Sequence, residues 1–257
     1  MPVVVANGRA ARSRLAAGQI RVTGRAVNQV PWLAPAPIIG RMRTMRNWPL
    51  AGLRLRTPRL ELRLPSLADL DELASLAAAG VHDPAVQPFA VPWTDVPPDQ
   101  RARAVVQYHW RQWGEWSPGN WSLDLVVDFG GVIAGTQGVS ARDFDVLREV
   151  HTGSWLGQRY QRQGIGTEMR AAVLHLAFAG LHAEYACSGA FSDNAASLAV
   201  SRKLGYTPDG MDRQVLRGQP VTQQRLRLDR AGWQAHRRVA VEITGLAECL
   251  PDFGLPG

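Results

Sequence analysis

Apolar and polar residues alternate from Leu53 to Leu64, which predicts a strand with one wet face. Pro58 interrupts the run, so an edge strand or two short pieces are expected. Ser66 stands where a helix cap belongs, ahead of Leu67, Leu70, Leu73, Leu76 and Ala77 at helical spacing, with Gly80 as the stop. A loop rich in proline and aromatics, residues 82–98, carries Phe89 and Trp93, and a second helix is predicted over 99–113. Strands follow at 121–129 and 132–140, joined by Gly130-Gly131, and a third at 149–156. Met169, Ala172, Val173, Leu176 and Ala177 then recur at helical spacing up to Gly180. A strand over 185–191 and a helix over 194–204 come next, with Gly205 as its C-terminal stop. The chain closes with a hairpin around Gly218-Gln219-Pro220, a short helix containing Trp233 and a strand-like run at 239–243. This order predicts a mixed α/β (α+β) architecture: a central twisted sheet of about seven strands with helices on both faces, and no doubly wound βαβ series.

At 257 residues, 46% hydrophobic and 20% charged, the chain is large enough for one domain with a sizeable core. No apolar run approaches the length of a membrane span, and no apolar core follows Arg9, Arg12 and Arg14, so neither a membrane helix nor a signal peptide is expected. Cys187 and Cys249 stand far apart and in no metal-ligand spacing; a cytoplasmic location and no metal are the expectations. The net charge of +7 suggests nucleic acid until its distribution is read. Residues 1–47 hold eight arginines and no acid, which leaves the remainder at −1, so the globular part is near neutral and nucleic acid is not expected as its partner. Segment 1–44 is basic, lacks a helical or strand period and contains the loop-like Pro31-Trp32-Leu33-Ala34-Pro35-Ala36-Pro37. It reads as a disordered arm or as sequence upstream of a start at Met42 or Met45, and residues 13–25 are faintly similar to part of an S4-type RNA-binding motif. The expected organisation is an extension at 1–44, a main domain at 45–235 and a tail at 236–257 with room for one more strand. The sequence leaves the oligomeric state open, a homo-oligomer included.

The chemistry concentrates in Gln161-Arg162-Gln163-Gly164-Ile165-Gly166-Thr167, placed between a strand and an amphipathic helix. Glycines let a backbone turn sharply and approach a ligand, and the following helix offers free N–H groups and a positive dipole end suited to phosphate. The third glycine of a dinucleotide fingerprint is missing, and there is no Gly-Lys-Ser/Thr of a Walker loop. On spacing alone the segment reads equally as a helix start with two turn glycines. A second segment, Asp193-Asn194-Ala195-Ala196-Ser197-Leu198-Ala199-Val200-Ser201-Arg202-Lys203-Leu204-Gly205-Tyr206, follows about thirty residues later. Together the two segments resemble the diagnostic pair of the GNAT N-acyltransferases, the first being similar to their Q/R-x-x-G-x-G/A pyrophosphate loop. The resemblance covers residues 48–233 and runs closest to the RimJ/RimL-like branch. There Gly80-Val81-His82-Asp83-Pro84, Val91-Pro92-Trp93-Thr94 and Thr152-Gly153-Ser154-Trp155-Leu156-Gly157 resemble an actinobacterial set that includes a mycobacterial succinyltransferase.

That resemblance implies transfer of an acyl group, acetyl by default, from acetyl-CoA to a primary amine such as a protein N-terminus or lysine. Succinyl-CoA as donor and a catalytically silent acyl-CoA-binding regulator are the alternatives, and an RNA-associated role rests only on the basic arm. An amine of ordinary pKa, about 8 for an α-amine and about 10.4 for lysine, must lose a proton before it attacks a thioester. The family's glutamate is replaced by His151, which makes His151 the candidate base, with Glu149 on the same strand face as the alternative. The oxyanion donor is expected from the N–H of Trp155, Leu156 or Gly157. Ser201 occupies the place of the family's tyrosine acid, with Ser197 one turn earlier; either hydroxyl would hydrogen-bond the departing thiolate. Asn194 is expected to hold the pantetheine amide or to cap its helix. Phe89 and Trp93 are expected on the acceptor side, among Trp110, Trp113, Trp116 and Trp121, and Arg101, Arg103 and Arg111 read as a solvated helix face. Cys187 reads as core, since direct transfer needs no acyl-enzyme.

Overall fold

A computed structural model describes residues 45–257; the expectations for 1–44 fall outside the described residues. Pro58 divides the first alternating run into β1 (Arg54–Arg56) and β2 (Leu60–Arg63), which pair antiparallel with Leu55 opposite Leu62. Their leucines Leu55, Leu60 and Leu62 are buried, as the alternation requires. The Ser66 hydroxyl accepts from the Asp69 N–H at 3.1 Å and the Asp69 carboxylate accepts from the Ser66 N–H at 2.8 Å, a complete capping box for α1 (Leu67–Ala79). Leu70, Leu73, Leu76 and Ala77 are buried, whereas Leu67 is 72% exposed because it lies in the capped first turn, outside the packed stripe. Helix α2 spans Pro98–Gly114, with its proline in the first turn where no N–H is needed. Arg101 departs from the expected solvated face: its guanidinium donates to the Ala77, Thr94 and Val96 carbonyls and ties α2 to α1 and the loop between them.

Strands β3 (Asn120–Phe129) and β4 (Val132–Arg142) are joined by Gly130 and Gly131 at φ +64° and +88°, values that favour glycine in a two-residue hairpin. A single helical turn, α3 (Phe144–Leu147), precedes β5 (Glu149–Leu156). Helix α4 (Ile165–His175) continues through a π-helical turn (Leu176–Gly180), and β6 (Tyr185–Phe191) and α5 (Ala195–Lys203) follow. The last hairpin joins β7 (Thr207–Leu216) to β8 (Gln219–Asp229). Its turn is Arg217-Gly218, one residue earlier than expected, since both take positive φ while Gln219 and Pro220 already pair in β8. Helix α6 (Arg230–His236) leads to β9 (Glu242–Thr244), shorter than the 239–243 run and displaced toward its end.

Among the described residues the sheet has nine strands rather than about seven, in the order β7-β8-β6-β5-β4-β3-β2-β1-β9. Two of the additions come from the proline break and from β9, which pairs with β1. Every pairing is antiparallel except β5 with β6. Alternate residues of β3 serve opposite faces. Leu123, Leu125 and Val127 join the large core under α4 with Ile165, Met169, Ala172 and Val173, while Val126 joins Leu73, Ala77 and Val105 under α1 and α2. At the start of β3 Trp121 is 2% exposed and packs with Trp116, Phe144 and Phe253, so this part of the tryptophan cluster is core.

The parallel pair is where the sheet opens. β5 and β6 are in register only over Glu149–His151 and Tyr185–Cys187. Beyond that, β5 stays on β4 as far as Leu156 and β6 stays on β8 as far as Phe191, so their facing edges part. Among the described residues no helix is long and apolar enough to cross a membrane.

Candidate active site

Gly157 carries the chain off β5 beside α1. A Cβ there would lie 2.4 Å from a Leu76 methyl, so only glycine permits this packing. The Gln161 side chain turns inward and donates to the carbonyls of Val81 (2.7 Å) and Leu156 (3.0 Å), fixing the start of the loop. Arg162 and Gly164 adopt φ +60° and +80°. This alternation of backbone handedness gathers successive N–H groups into a concavity, and those of Arg162, Gln163, Gly164, Ile165 and Gly166 find no acceptor among the described residues. The concavity sits on the N-terminus of α4, so backbone donors and helix dipole favour the same charge there: an anion.

A clamp that the sequence reading passed over holds this loop. Arg59 donates to the Gln163 carbonyl (3.1 Å) and to Glu168 Oε2 (2.7 Å), and Glu168 Oε1 accepts from the Thr57 hydroxyl at 2.6 Å. Thus the hairpin turn between β1 and β2 is pinned to the first turn of α4, with the Glu168 carboxylate neutralised before an anion arrives. Thr167, in the same turn, lies on a second cavity of about 190 Å³ that runs along α4 to Lys203, Trp233 and Arg237.

The opening between β5 and β6 lies beside the loop. Gly157 N–H already donates to the Ala134 carbonyl at 3.0 Å. Because antiparallel strands alternate their bonding direction, the N–H of Trp155 also turns to β4 and that of Leu156 turns to the open edge. On the α4 side stands Arg170, 6% exposed, which donates to the Ser201 hydroxyl (3.0 Å) and the Ser154 hydroxyl (3.4 Å). Its Nε has no partner, no carboxylate pairs with it among the described residues, and burial lowers its pKa. Ser201 is fully enclosed, whereas Ser197 is half-buried and its N–H donates to the Asn194 side chain (3.1 Å), so Asn194 caps α5. Beside them the Thr152 hydroxyl meets the Tyr206 hydroxyl at 3.2 Å.

On the α1–α2 side, Trp155 stacks in a tilted arrangement with Trp93, and Trp93 with Phe89, at ring separations of 5.6 and 5.2 Å. The residue types expected on the acceptor side are therefore brought together at the end of β5. His151 stands at the last paired position before the opening, exposed, with its ring 3.6 Å from Glu149. Glu149 is also held by Arg227 at 3.3 Å. A cavity of about 540 Å³ lies here, lined by Tyr108, Ser122, Ser140 and His151 among others. Above, Arg217 at the β7–β8 turn donates to Asp95 in the loop between α1 and α2 at 2.6 Å, bridging the elements on either side of the opening. The Cys187 thiol is pushed up to about 11 by burial and by Glu149, so it is no nucleophile at neutral pH. Among the described residues no cluster of His, Cys, Asp and Glu could hold a metal.

Arg59, Glu168 and Arg170 carried no signal in isolation. Glu168 is an ordinary acid of a helix first turn, and only its contact with Thr57 and Arg59, more than a hundred positions away, gives it a role.

A family model described as "Acetyltransferase (GNAT) domain" matches residues 59–207. Among solved structures, the fold is similar to Mycobacterium smegmatis RimJ in complex with CoA-disulfide (TM-score 0.60, 17% identity, 74% of this chain and 97% of that one). It is also similar to RimL, a ribosomal L7/L12 alpha-N-protein acetyltransferase in complex with CoA (0.54, 19%, 67% and 95%). A third similar structure is the microcin C7 self-immunity acetyltransferase MccE with acetyl-CoA and AMP (0.53, 20%, 67% and 93%).

Proposed function

The chain belongs to the GNAT acetyltransferase family, and from that premise we propose that it acetylates the α-amine of a protein, in the manner of the RimJ/RimL branch. Acetyl-CoA is the family's cosubstrate, and CoA-bound neighbours share this fold. The observation that carries the reading is the concavity of free N–H groups from Arg162 to Gly166, set beside the opening between β5 and β6. There the pyrophosphate would be held by backbone donors, and the pantetheine arm would lie along the free edge of β5. The thioester carbonyl would accept from the open-edge N–H of Ser154, next to Gly153, while Leu156 N–H, nearer the loop on the same edge, would meet the pantetheine arm; Trp155 and Gly157 would shape the edge without donating. Gln161, Gln163 and Thr167 keep the loop and the first turn of α4 in place, and Asn194 and Ser197 stand at the start of α5 flanking the arm. Ser201, oriented by Arg170, would stabilise the departing thiolate with the arginine's positive charge. The acceptor would enter past Phe89 and Trp93, over the face that His151 and Glu149 share. The acetyltransferase unit is taken as residues 45–235, with 236–257 adding the ninth strand, in a cytoplasmic protein.

Succinyl-CoA is the second reading, favoured by Arg170: a buried guanidinium without a carboxylate would pair with the distal carboxylate of a dicarboxylic acyl group. Calorimetry of CoA, acetyl-CoA and succinyl-CoA against the full chain tests both. Gly164→Asp puts a side chain and a negative charge into the concavity, at φ +80° and 3.3 Å from Arg59. It is expected to lower CoA affinity at least tenfold while the protein stays folded. Unchanged affinity would remove the loop from the site, and a preference for succinyl-CoA that Arg170→Met abolishes would decide for the second reading.

A further inference from the structure

One row of the sheet, on the α1–α2 face, is stripped of side chains except at one end. Asp124 of β3 stands opposite Gly138 of β4, and Gly138 stands opposite Gly153 of β5. Residues in register across antiparallel strands point to the same face. From Asp124 to the edge of β5 where the sheet opens, the floor is therefore bare backbone. The carboxylate leans out over it: a Cβ on Gly138 would lie 2.7 Å from Asp124 Oδ1. A Cβ on Gly153 would meet nothing within 4 Å, so there is open space at the far end of the row.

Asp124 is 7% exposed and has no cationic partner among the described residues. Its Oδ2 accepts from the Ser122 hydroxyl (2.8 Å) and the Tyr108 hydroxyl (3.2 Å), while Oδ1, the oxygen over the glycine floor, accepts from no group among the described residues. Both donors line the 540 Å³ cavity that also contains His151, Glu115 and Arg142. Burying a carboxylate without a cation is costly, so a packing role alone gives no reason for it. Burial also raises its affinity for a proton.

Resting on the reading that an amine attacks a CoA thioester at the opening, we infer that Asp124, rather than His151, is the general base of this enzyme. An amine placed over Gly153 gives a proton from its ammonium nitrogen to Asp124 Oδ1. The freed lone pair forms the N–C bond at the thioester carbonyl, and the C–S bond breaks with its electron pair on sulfur. The second amine proton, lost as the amide forms, neutralises the CoA thiolate, and Asp124 returns its proton to solvent. Two glycines serve this geometry, one to let the carboxylate lean and one to leave room for the nitrogen. His151 is exposed, and Glu149 is engaged by Arg227 and His151, so neither offers a desolvated acceptor pointed at that nitrogen.

The test uses the full chain with acetyl-CoA and a pool of short peptides bearing free α-amines, following thiol release across pH, with calorimetry of acetyl-CoA in parallel. Asp124→Asn keeps the volume and an oxygen for Ser122 and Tyr108. It is expected to lower kcat by about 10²–10⁴-fold at pH 7 with acetyl-CoA affinity unchanged. The deficit should narrow above about pH 8, where the α-amine is already neutral, a change that a merely structural role would not produce. His151→Gln should cost less than about tenfold. Gly153→Ala guards against a folding artefact: its added methyl touches no atom of the described residues, so it should leave acetyl-CoA binding intact and lower kcat/KM for the amine at least tenfold. Near-wild-type turnover by Asp124→Asn, a larger loss for His151→Gln, or an unaffected kcat/KM in Gly153→Ala would each overturn the assignment. Wild-type protein that binds acetyl-CoA but turns over no peptide would sink the acceptor class and Asp124 with it, whereas failure to bind acetyl-CoA would sink the reading of the loop.

Discussion

Beside the opening, the loop at the start of α4 presents backbone N–H groups, whereas the α1–α2 face of the sheet presents side chains. The loop owes its shape to two residues at positive φ, Arg162 and Gly164, and to a clamp of Thr57, Arg59 and Glu168 that holds it from the β1–β2 turn. The face owes its shape to a row across three strands, Asp124 and two glycines, and to the hydroxyls of Ser122 in the next row and of Tyr108 on α2. A site made of backbone tolerates change in the side chains around it and fails when the backbone path changes. One made of side chains behaves the other way, because each group depends on the packing of the element that carries it.

The largest expected effect in stability lies on the side-chain face. His109 of α2 is 1% exposed with no partner for its Nδ1 among the described residues, and burial pushes it down to about 4 from 6.5. The folded ring is neutral while the unfolded chain takes up a proton below 6.5, so stability present above 6.5 is lost as the pH falls toward 4. The loss amounts to as much as ~3 kcal/mol at 1.36 kcal/mol per pKa unit. Asp124, raised by burial on the same face, acts in the opposite sense, so the informative quantity is a difference. Urea melts of wild type and His109→Leu at several pH values between 4 and 7 should diverge in slope. Parallel curves would mean that α2 admits water to His109.

A smaller effect is expected on the backbone face. Glu168→Gln removes the charge of a nearly buried clamp whose partner Arg59 is 43% exposed, so solvent screening limits the cost to about 1–2 kcal/mol. Because the N–H groups remain, CoA affinity should fall only severalfold. A loss as large as that of Gly164→Asp would show that the clamp, and not the local backbone, shapes the concavity. The smallest effect belongs to Ser66→Ala, which removes the capping box of α1 and should cost about 1 kcal/mol in a thermal melt. Turnover and CoA affinity should not move, and a change in either would tie the α1 cap to the acceptor face.

Much of the fold was legible because its signals are local. The helix cap at Ser66, the Gly130-Gly131 turn and the bounds of β5 and β6 each depend on a few adjacent residues, and all appear where the pattern placed them. The glycine-rich loop was legible for the same reason at Gly164, whereas the left-handed residue Arg162 has no glycine to announce it. Where local signals were ambiguous the reading slipped. Pro220 drew the last turn one residue too late, Leu67 looked like core, and the guanidinium of Arg101, charged like any surface arginine, is spent on three carbonyls. Which of the N–H groups of Trp155, Leu156 and Gly157 turns away from β4 was not legible, because the direction of an N–H depends on which residues face each other across β4 and β5.

What the sequence by itself determined is therefore the order of the elements, most of their caps and turns, and a glycine-rich loop at the start of α4, all written in periodicity and backbone preference over short spans. The tertiary structure decided the rest. It set the three-residue limit of β5–β6 pairing, the addition of β9 to β1, the clamp from Thr57 and Arg59 to Glu168, and the alignment of Asp124 with Gly138 and Gly153. Each depends on strand register, and register is fixed by the burial of whole faces rather than by any one residue. A one-residue slip would have turned Asp124 to the other face of the sheet, with the same sequence and no bare row to lean across.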